Sequence, residues 1–314
     1  MKKEYFILIF FIILLSVYLF LHKENKSNYS LPNISKIKSS DITKINIAKK
    51  DNNLLLQKEN NNWFINNEKY PANLEKINNM LDIIQNLKLT ALVSEKKDFK
   101  RYELDPEKSI KVKAEIDSKV VRNFEIGKTA PTYNHTFIKL KNNNKVYYAL
   151  KNFRSNFNQT VDDLRDKTIL SFNQENIKQI IFEKENIKKQ LDLKEIKNSD
   201  NKNDEKIKIW ESKDKSTFDI KIVKNLISML SNLKCLKYIY KDSKKEYQPR
   251  KFLYKVTIKG EKSINISFYS KKEDGQITGI SSQSNYPFFL DSHKAKNLIS
   301  NINNILGIKT KKKN

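Results

Sequence analysis

The chain has a single cysteine, Cys235, in 314 residues, so no intrachain disulfide can form and the redox compartment is not diagnosed. Cys235 falls in an apolar helical or post-helical pattern, where a buried small hydrophobe is expected rather than a nucleophile. Five glycines and six prolines leave few flexible linkers to mark domain boundaries. No two glycines stand at phosphate-loop spacing and no Gly-x-Ser-x-Gly elbow occurs, which argues against an ATPase or an α/β-hydrolase. The three histidines, His22, His135 and His293, stand apart, without a His-x-x-x-His or cysteine partner, so a zinc site has no support. No catalytic, cofactor-binding or metal-ligating residue is singled out, and the chain reads as non-enzymatic.

What is present is cationic and aromatic. Hydrophobic residues make up 38%, with 17 Phe and 14 Tyr, enough to build a folded body. The net charge of +25 arises from 61 Lys plus Arg against 36 Asp plus Glu. The lysines are spread over nearly every segment, and only Lys241 to Lys245 and Lys309 to Lys313 form local clusters. Nucleic-acid readers concentrate charge on one face or groove, so no nucleic-acid partner is expected. A diffuse positive surface is compatible with anionic lipid headgroups.

Tyr5 to Leu21 is an almost unbroken apolar run, interrupted by Ser16, and as a helix it would extend roughly 25 Å. A cleaved signal peptide is the alternative to a signal anchor. The segment HKENKSNYS that follows offers neither a small-x-small cleavage site nor a lipobox cysteine, which favours the anchor. Lys2 and Lys3 favour a cytoplasmic start. The expectation is therefore a single-pass protein held in the cytoplasmic membrane through residues 5–21, with its C-terminal body on the extracytoplasmic, periplasmic side. Residues 23–39 read as a juxtamembrane tether.

Short strands are expected at Ile42 to Ile47, Leu54 to Gln57 and Trp63 to Ile65, separated by Asn-rich turns. A helix follows, with Pro71 suited to its first position and Leu74, Ile77, Leu81 and Ile84 on one face. Hairpins are predicted over Ile110 to Ile126, turning at Asp117-Ser118-Lys119, and over Phe137 to Leu150. Phe153, Phe157, Val161 and Leu164 continue at helical spacing.

Much of this pattern recurs after a shift of 146 residues. Leu74, Ile77, Met80, Leu81, Ile84 and Leu87 fall on Ile220, Val223, Leu226, Ile227, Leu230 and Leu233, and Asn79 and Asn86 on Asn225 and Asn232. The only two tryptophans, Trp63 and Trp210, match with one residue of slack. A polar insert from Lys194 to Lys206 absorbs changed spacing upstream. Tyr254 to Ile258 with Ile264 to Phe268 repeats the first hairpin, and an amphipathic Ala295 to Ile305 repeats the ending. Matches at polar as well as apolar positions point to a duplication.

Two features admit competing readings. Asp162, Asp163 and Asp166 could hold a cation, but Arg165 and Lys167 stand among them and could neutralise them as surface pairs. Trp63 and Trp210 could form an aromatic platform for glycan or peptide, or cover the helix as core residues.

The stretches Asp41-Ile42-Thr43-Lys44-Ile45-Asn46-Ile47, Trp63-Phe64-Ile65, Tyr70-Pro71-Ala72-Asn73 and Tyr102-x-Leu104-Asp105-Pro106 resemble the bacterial domain-of-unknown-function family 4340. The resemblance is best from about Asp41 to Asp166, including the Leu164-Arg165-Asp166-Lys167 ending. Members usually have Tyr-Gly-Leu where this chain has Tyr102-Glu103-Leu104, so a glycine turn is not assured there. The family occurs in anchored envelope proteins beside gliding-type ABC transporter auxiliary components, and no catalytic residues carry over from it.

The expected fold class is α+β: an N-terminal transmembrane helix followed by two tandem copies of a mainly antiparallel sheet-plus-helix unit. The divisions are 1–22 (anchor), 23–39 (tether), 40–170 (first repeat), 171–308 (second repeat) and 309–314 (basic tail). The resemblance implies an accessory or binding subunit of an ABC-transporter-type membrane complex, with permease and auxiliary subunits as partners and no cofactor. The alternative is a protein that binds or hydrolyses cell-wall glycan.

Overall fold

The computed structural model describes residues 3–21, 29–197, 206–214, 218, 220–240, 244–247, 251–270 and 277–308. His22, most of the insert between Lys194 and Lys206, residues 241–243 and the tail 309–314 lie outside the described residues. The first helix, α1, runs Lys3–Leu21, and its side chains are described over 3–19. Lys3 and Glu4 occupy its first turn. Among the described residues no helix is long and apolar enough to cross a membrane. That finding overturns the transmembrane helix in the expected fold class. The single-pass localisation in the cytoplasmic membrane falls with it.

The rest of the chain is mostly antiparallel sheet backed by helices, and it divides into two compact units. One comprises Met1–Tyr70 and Leu74–Thr160, the other Pro71–Asn73 and Val161–Asn314. The first sheet has the strands β1 (Lys44–Lys49), β2 (Asn52–Glu59), β3 (Asn62–Ile65) and β4 (Tyr70–Pro71, of which Pro71 counts with the second unit), then come α2 (Leu74–Gln85) and β5 (Leu89–Ser94). They are followed by β6 (Ile110–Ile116), β7 (Lys119–Thr129), β8 (His135–Leu140), β9 (Val146–Leu150) and the single-turn α3 (Arg154–Phe157). The sheet order is β4-β3-β2-β1-β6-β7-β8-β9-β5.

Its hairpin turns follow from local chemistry. Asn60 and Asn61 have φ of 47° and 65°, and Asp117 and Ser118 have 45° and 68°. Two consecutive positive φ values match the right-handed strand twist, and Asn and Asp tolerate them best among residues with a side chain. Helix α2 buries Ile77, Met80, Leu81 and Ile84. Its last turn is held by Arg122 of β7, which donates to the Ile84 carbonyl at 3.2 Å and to the Ser35 hydroxyl at 3.3 Å.

The second unit holds α4 (Val161–Leu164), β10 (Thr168–Ser171), β11 (Gln179–Lys184), β12 (Ile187–Lys197), β13 (Lys206–Ser212) and α5 (Ile220–Ser231). After these come β14 (Asn232–Lys234), β15 (Lys237–Tyr238), α6 (Lys244–Tyr247), β16 (Tyr254–Lys259) and β17 (Ser263–Ser270). The chain ends with β18 (Ile277–Ser281), β19 (Phe288–Phe289) and α7 (Ser292–Leu306). The main sheet runs β13-β12-β11-β16-β17-β18-β19-β15, and β10 pairs with β14. From β3 to β5 the first sheet has the same order of corresponding strands, and α5 stands 146 residues after α2 at both ends, 74 to 220 and 85 to 231.

The second core packs Val223, Leu226, Ile227 and Leu230 of α5 with Leu298, Ile302 and Ile305 of α7 over Phe182, Trp210, Val256 and Phe268 of the sheet. Gly279 allows β18 to pass Phe288, since a Cβ there would lie 2.6 Å from the ring. Asp291 caps α7 by accepting from the His293 and Lys294 amides at 3.0 and 3.1 Å.

Three local expectations fail. Pro71 lies in β4 rather than at a helix start, and α2 begins at Leu74. Leu74 is 51% exposed, so the buried stripe starts at Ile77. The run from Phe153 to Leu164 is two separate turns, α3 and α4, assigned to different units.

Candidate functional site

Pro71, Ala72 and Asn73 from one motif meet Leu164, Arg165 and Asp166 from another within the second unit. Asn73 donates its amide to the Leu164 carbonyl at 2.7 Å, and Asp166 donates to the Pro71 carbonyl at 2.8 Å. Ala72 and Arg165 face each other as an isolated antiparallel bridge. The proline suits this position because a strand edge needs its carbonyl and not the missing N–H.

The bridge holds Arg165 at 5% exposure in a cage of tyrosines. Its guanidinium carbon lies 3.8 Å from the ring centroid of Tyr238, 4.5 Å from Tyr286 and 5.3 Å from Tyr240. The planar cation stacks on the negative ring faces, an attraction that strengthens once water is excluded. Tyr286 meets Tyr238 and Tyr240 edge-on, with centroids 6.3 and 5.9 Å apart. The Tyr238 hydroxyl donates to the Asp166 carbonyl at 3.1 Å, tying the cage back to the strand that supplies the arginine.

The carboxylates around Arg165 are committed to different tasks. Asp162 accepts from the Lys167 ammonium at 3.3 Å and from the Tyr240 hydroxyl at 3.4 Å. Asp166 accepts from the amide and hydroxyl of Thr168 at 3.0 and 2.8 Å, closing its own turn. Among the described residues no group of three or more His, Cys, Asp or Glu is placed to hold a metal ion. Lys167 also donates to the Leu236 carbonyl at 2.7 Å.

Cys235 sits behind the cage, its amide donating to the Lys167 carbonyl at 2.9 Å. Burial pushes its thiol up to about 11, and burial likewise raises Tyr238 and Tyr240. At neutral pH the thiol is therefore protonated and the tyrosines neutral. The cluster packs and orients; it does not present a nucleophile.

The other residues singled out from the sequence lie elsewhere. Trp63 and Trp210 are each 4% exposed, so both are core residues and neither offers an open face to a glycan. His135, in the first unit, shares a hydrogen bond with the Thr132 hydroxyl at 2.9 Å and lies 5.4 Å from the Tyr148 ring. His293 belongs to the second unit and contacts the Asn297 amide at 3.2 Å on the surface of α7. Glu103 does adopt the left-handed turn that a glycine would favour, at φ 55° and ψ 36°. Its carboxylate lies 3.4 Å from Arg154, whose guanidinium donates to the carbonyls of Ile126 at 3.1 Å and Lys108 at 2.7 Å. Sequence reasoning missed the three tyrosines. Their only signal was Tyr-x-Tyr spacing at Tyr238 and Tyr240, which puts both rings on one side of an extended segment.

Fold and site together define a protein of antiparallel sheets with backing helices, whose motif residues are built into a buried backbone and side-chain joint. The chain belongs to the family described as Domain of unknown function (DUF4340), whose model matches residues 63–251. That match takes in Tyr70 to Asn73, Leu164 to Lys167, and Tyr238 and Tyr240. No curated protein and no solved structure matches the chain.

Proposed function

We propose that the protein is a non-enzymatic accessory or binding subunit of an ABC-transporter-type complex. One observation carries the non-enzymatic part. The residues that mark the family, Pro71 to Asn73 and Leu164 to Lys167, are spent on a backbone bridge and a caged arginine, which suits a rigid docking scaffold. The choice of partner rests on the resemblance drawn from the sequence. Purification of the tagged full chain in mild detergent, read by mass spectrometry, should recover a permease and an ATPase in fixed ratio. Recovery of the chain alone under several extraction conditions would overturn the reading.

A further inference from the structure

We propose that the free edge of β5 pairs antiparallel with the same strand of a second copy of this chain, about a two-fold axis. A sheet edge presents unpaired N–H and C=O groups, and folded proteins blunt it with charge, proline, bulges, shortness or covering backbone. The two main sheets end on four strands, β4, β5, β13 and β15. β4 and β15 are two residues each, and the Pro71 carbonyl of β4 accepts from the Asp166 amide at 2.8 Å. β13 carries Lys208 and Glu211, and its Trp210 carbonyl accepts from the Phe218 amide at 3.3 Å. β5 is six residues long, Leu89-Thr90-Ala91-Leu92-Val93-Ser94, with neither a charge nor a proline. Among the described residues its backbone bonds only to β9. The one blunting device it has is a pair of bulges, between Leu89 and Ala91 and between Leu92 and Ser94; they twist the strand and leave its outer side uncovered.

Charge selects a second copy as the occupant. Across a two-fold axis a residue near the middle of a strand faces itself or a close neighbour, so a charged strand would meet its own charge. β5 has none to meet. The first charges beyond it are Lys88 at one end and Glu95 at the other. Antiparallel pairing brings Lys88 of each copy alongside Glu95 of the other, at both ends of the contact. Glu95 is held by Lys145 at 2.6 Å in an exposed pair, which is weak enough to exchange. The chain bends at Glu95 and Lys96, so the lysines that follow Glu95 leave the line of the strand. Six residues make a contact about 20 Å long, and so small an interface gives a weak dimer, with a dissociation constant of about 10–100 μM.

Sedimentation velocity of the full chain in mild detergent, from about 1 to 200 μM, tests the pairing. A monomer–dimer equilibrium is expected. Thr90→Lys sets like charges near the axis and should weaken the dimer at least about tenfold, as should Thr90→Glu. An equimolar mixture of the two variants should recover dimers, because Lys then meets Glu across the axis; a folding defect would not be cured by mixing. Lys208→Glu, on the edge strand β13, should change the affinity by less than about twofold. In the otherwise native chain, Ala91→Cys or Leu92→Cys should cross-link copy to copy under copper–phenanthroline oxidation, while the buried Cys235 leaves the native chain uncross-linked. Dimers that persist undiminished in Thr90→Lys, or that respond to Lys208→Glu instead, would overturn the proposal, as would a mixture that stays monomeric or failure of both cysteine variants to cross-link. A monomer over the whole concentration range would overturn it too, and would leave the edge to a strand of another protein.

Discussion

Arg165 concentrates more physical chemistry than any other side chain described. A guanidinium removed from water is costly unless something replaces the solvent around it, and the ring faces of three tyrosines pack against it here. Arg165→Ala removes the cation and leaves a void between the rings, so thermal denaturation should show a loss of about 2–3 kcal/mol. Arg165→Lys keeps the charge but not the plane, and should recover less than half of that loss. Cys235 gives a second test at this scale. Its folded pKa, about 11, lies above the ordinary value of 9.0, so the folded state holds the proton more tightly. The resulting stabilisation is fully present below about pH 9 and is lost as pH rises from about 9 through 11. The melting temperature of the native chain, compared with Cys235→Ala, should fall more steeply across that window. At pH 8 the thiol should react with a disulfide reagent only on unfolding. Burial of Cys235 was legible from its apolar neighbours; the tyrosine cage was not, because Tyr286 lies 46 positions beyond Tyr240 and adjoins it only after folding.

At the scale of single elements, hydrophobic period predicted α2 and its buried stripe well and predicted its start poorly. Pro71 suits both the first turn of a helix and the edge of a strand, and only the bridge between Ala72 and Arg165 decided between them. Leu74→Ser should therefore shift stability by less than about 0.5 kcal/mol, whereas Met80→Ala, fully buried, should cost about 2–4 kcal/mol by denaturant titration. The turn at Glu103 is a comparable case. A left-handed non-glycine residue carries about 1–2 kcal/mol of backbone strain. Glu103→Gly should be more stable than Glu103→Ala by about 1 kcal/mol, both having lost the contact with Arg154. The run from Phe153 to Leu164 looked like one helix because apolar spacing does not report a break; α3 and α4 are four residues each and bury Phe157 and Leu164 separately.

For the whole molecule, the division into units places Pro71–Asn73 with residues 161–314. A fragment cut at Thr160 and Val161 therefore lacks one bridge and two backbone hydrogen bonds of its own unit. The 161–314 fragment should melt several degrees below the corresponding transition of the intact chain, and a 70–74 peptide added at high concentration should restore part of the difference. What the sequence by itself determined was the local pattern: paired Asn and Asp turns, alternating strands, the one-sided helix and its echo 146 residues on. These follow from side-chain period and backbone sterics, which act over a few residues. The family followed as well, from short motifs. Tertiary structure decided which of those motifs touch, which tryptophan face is closed and which sheet edge stays open. Such contacts join residues up to about 120 positions apart, as between Arg165 and Tyr286, and depend on long-range packing that no local pattern encodes.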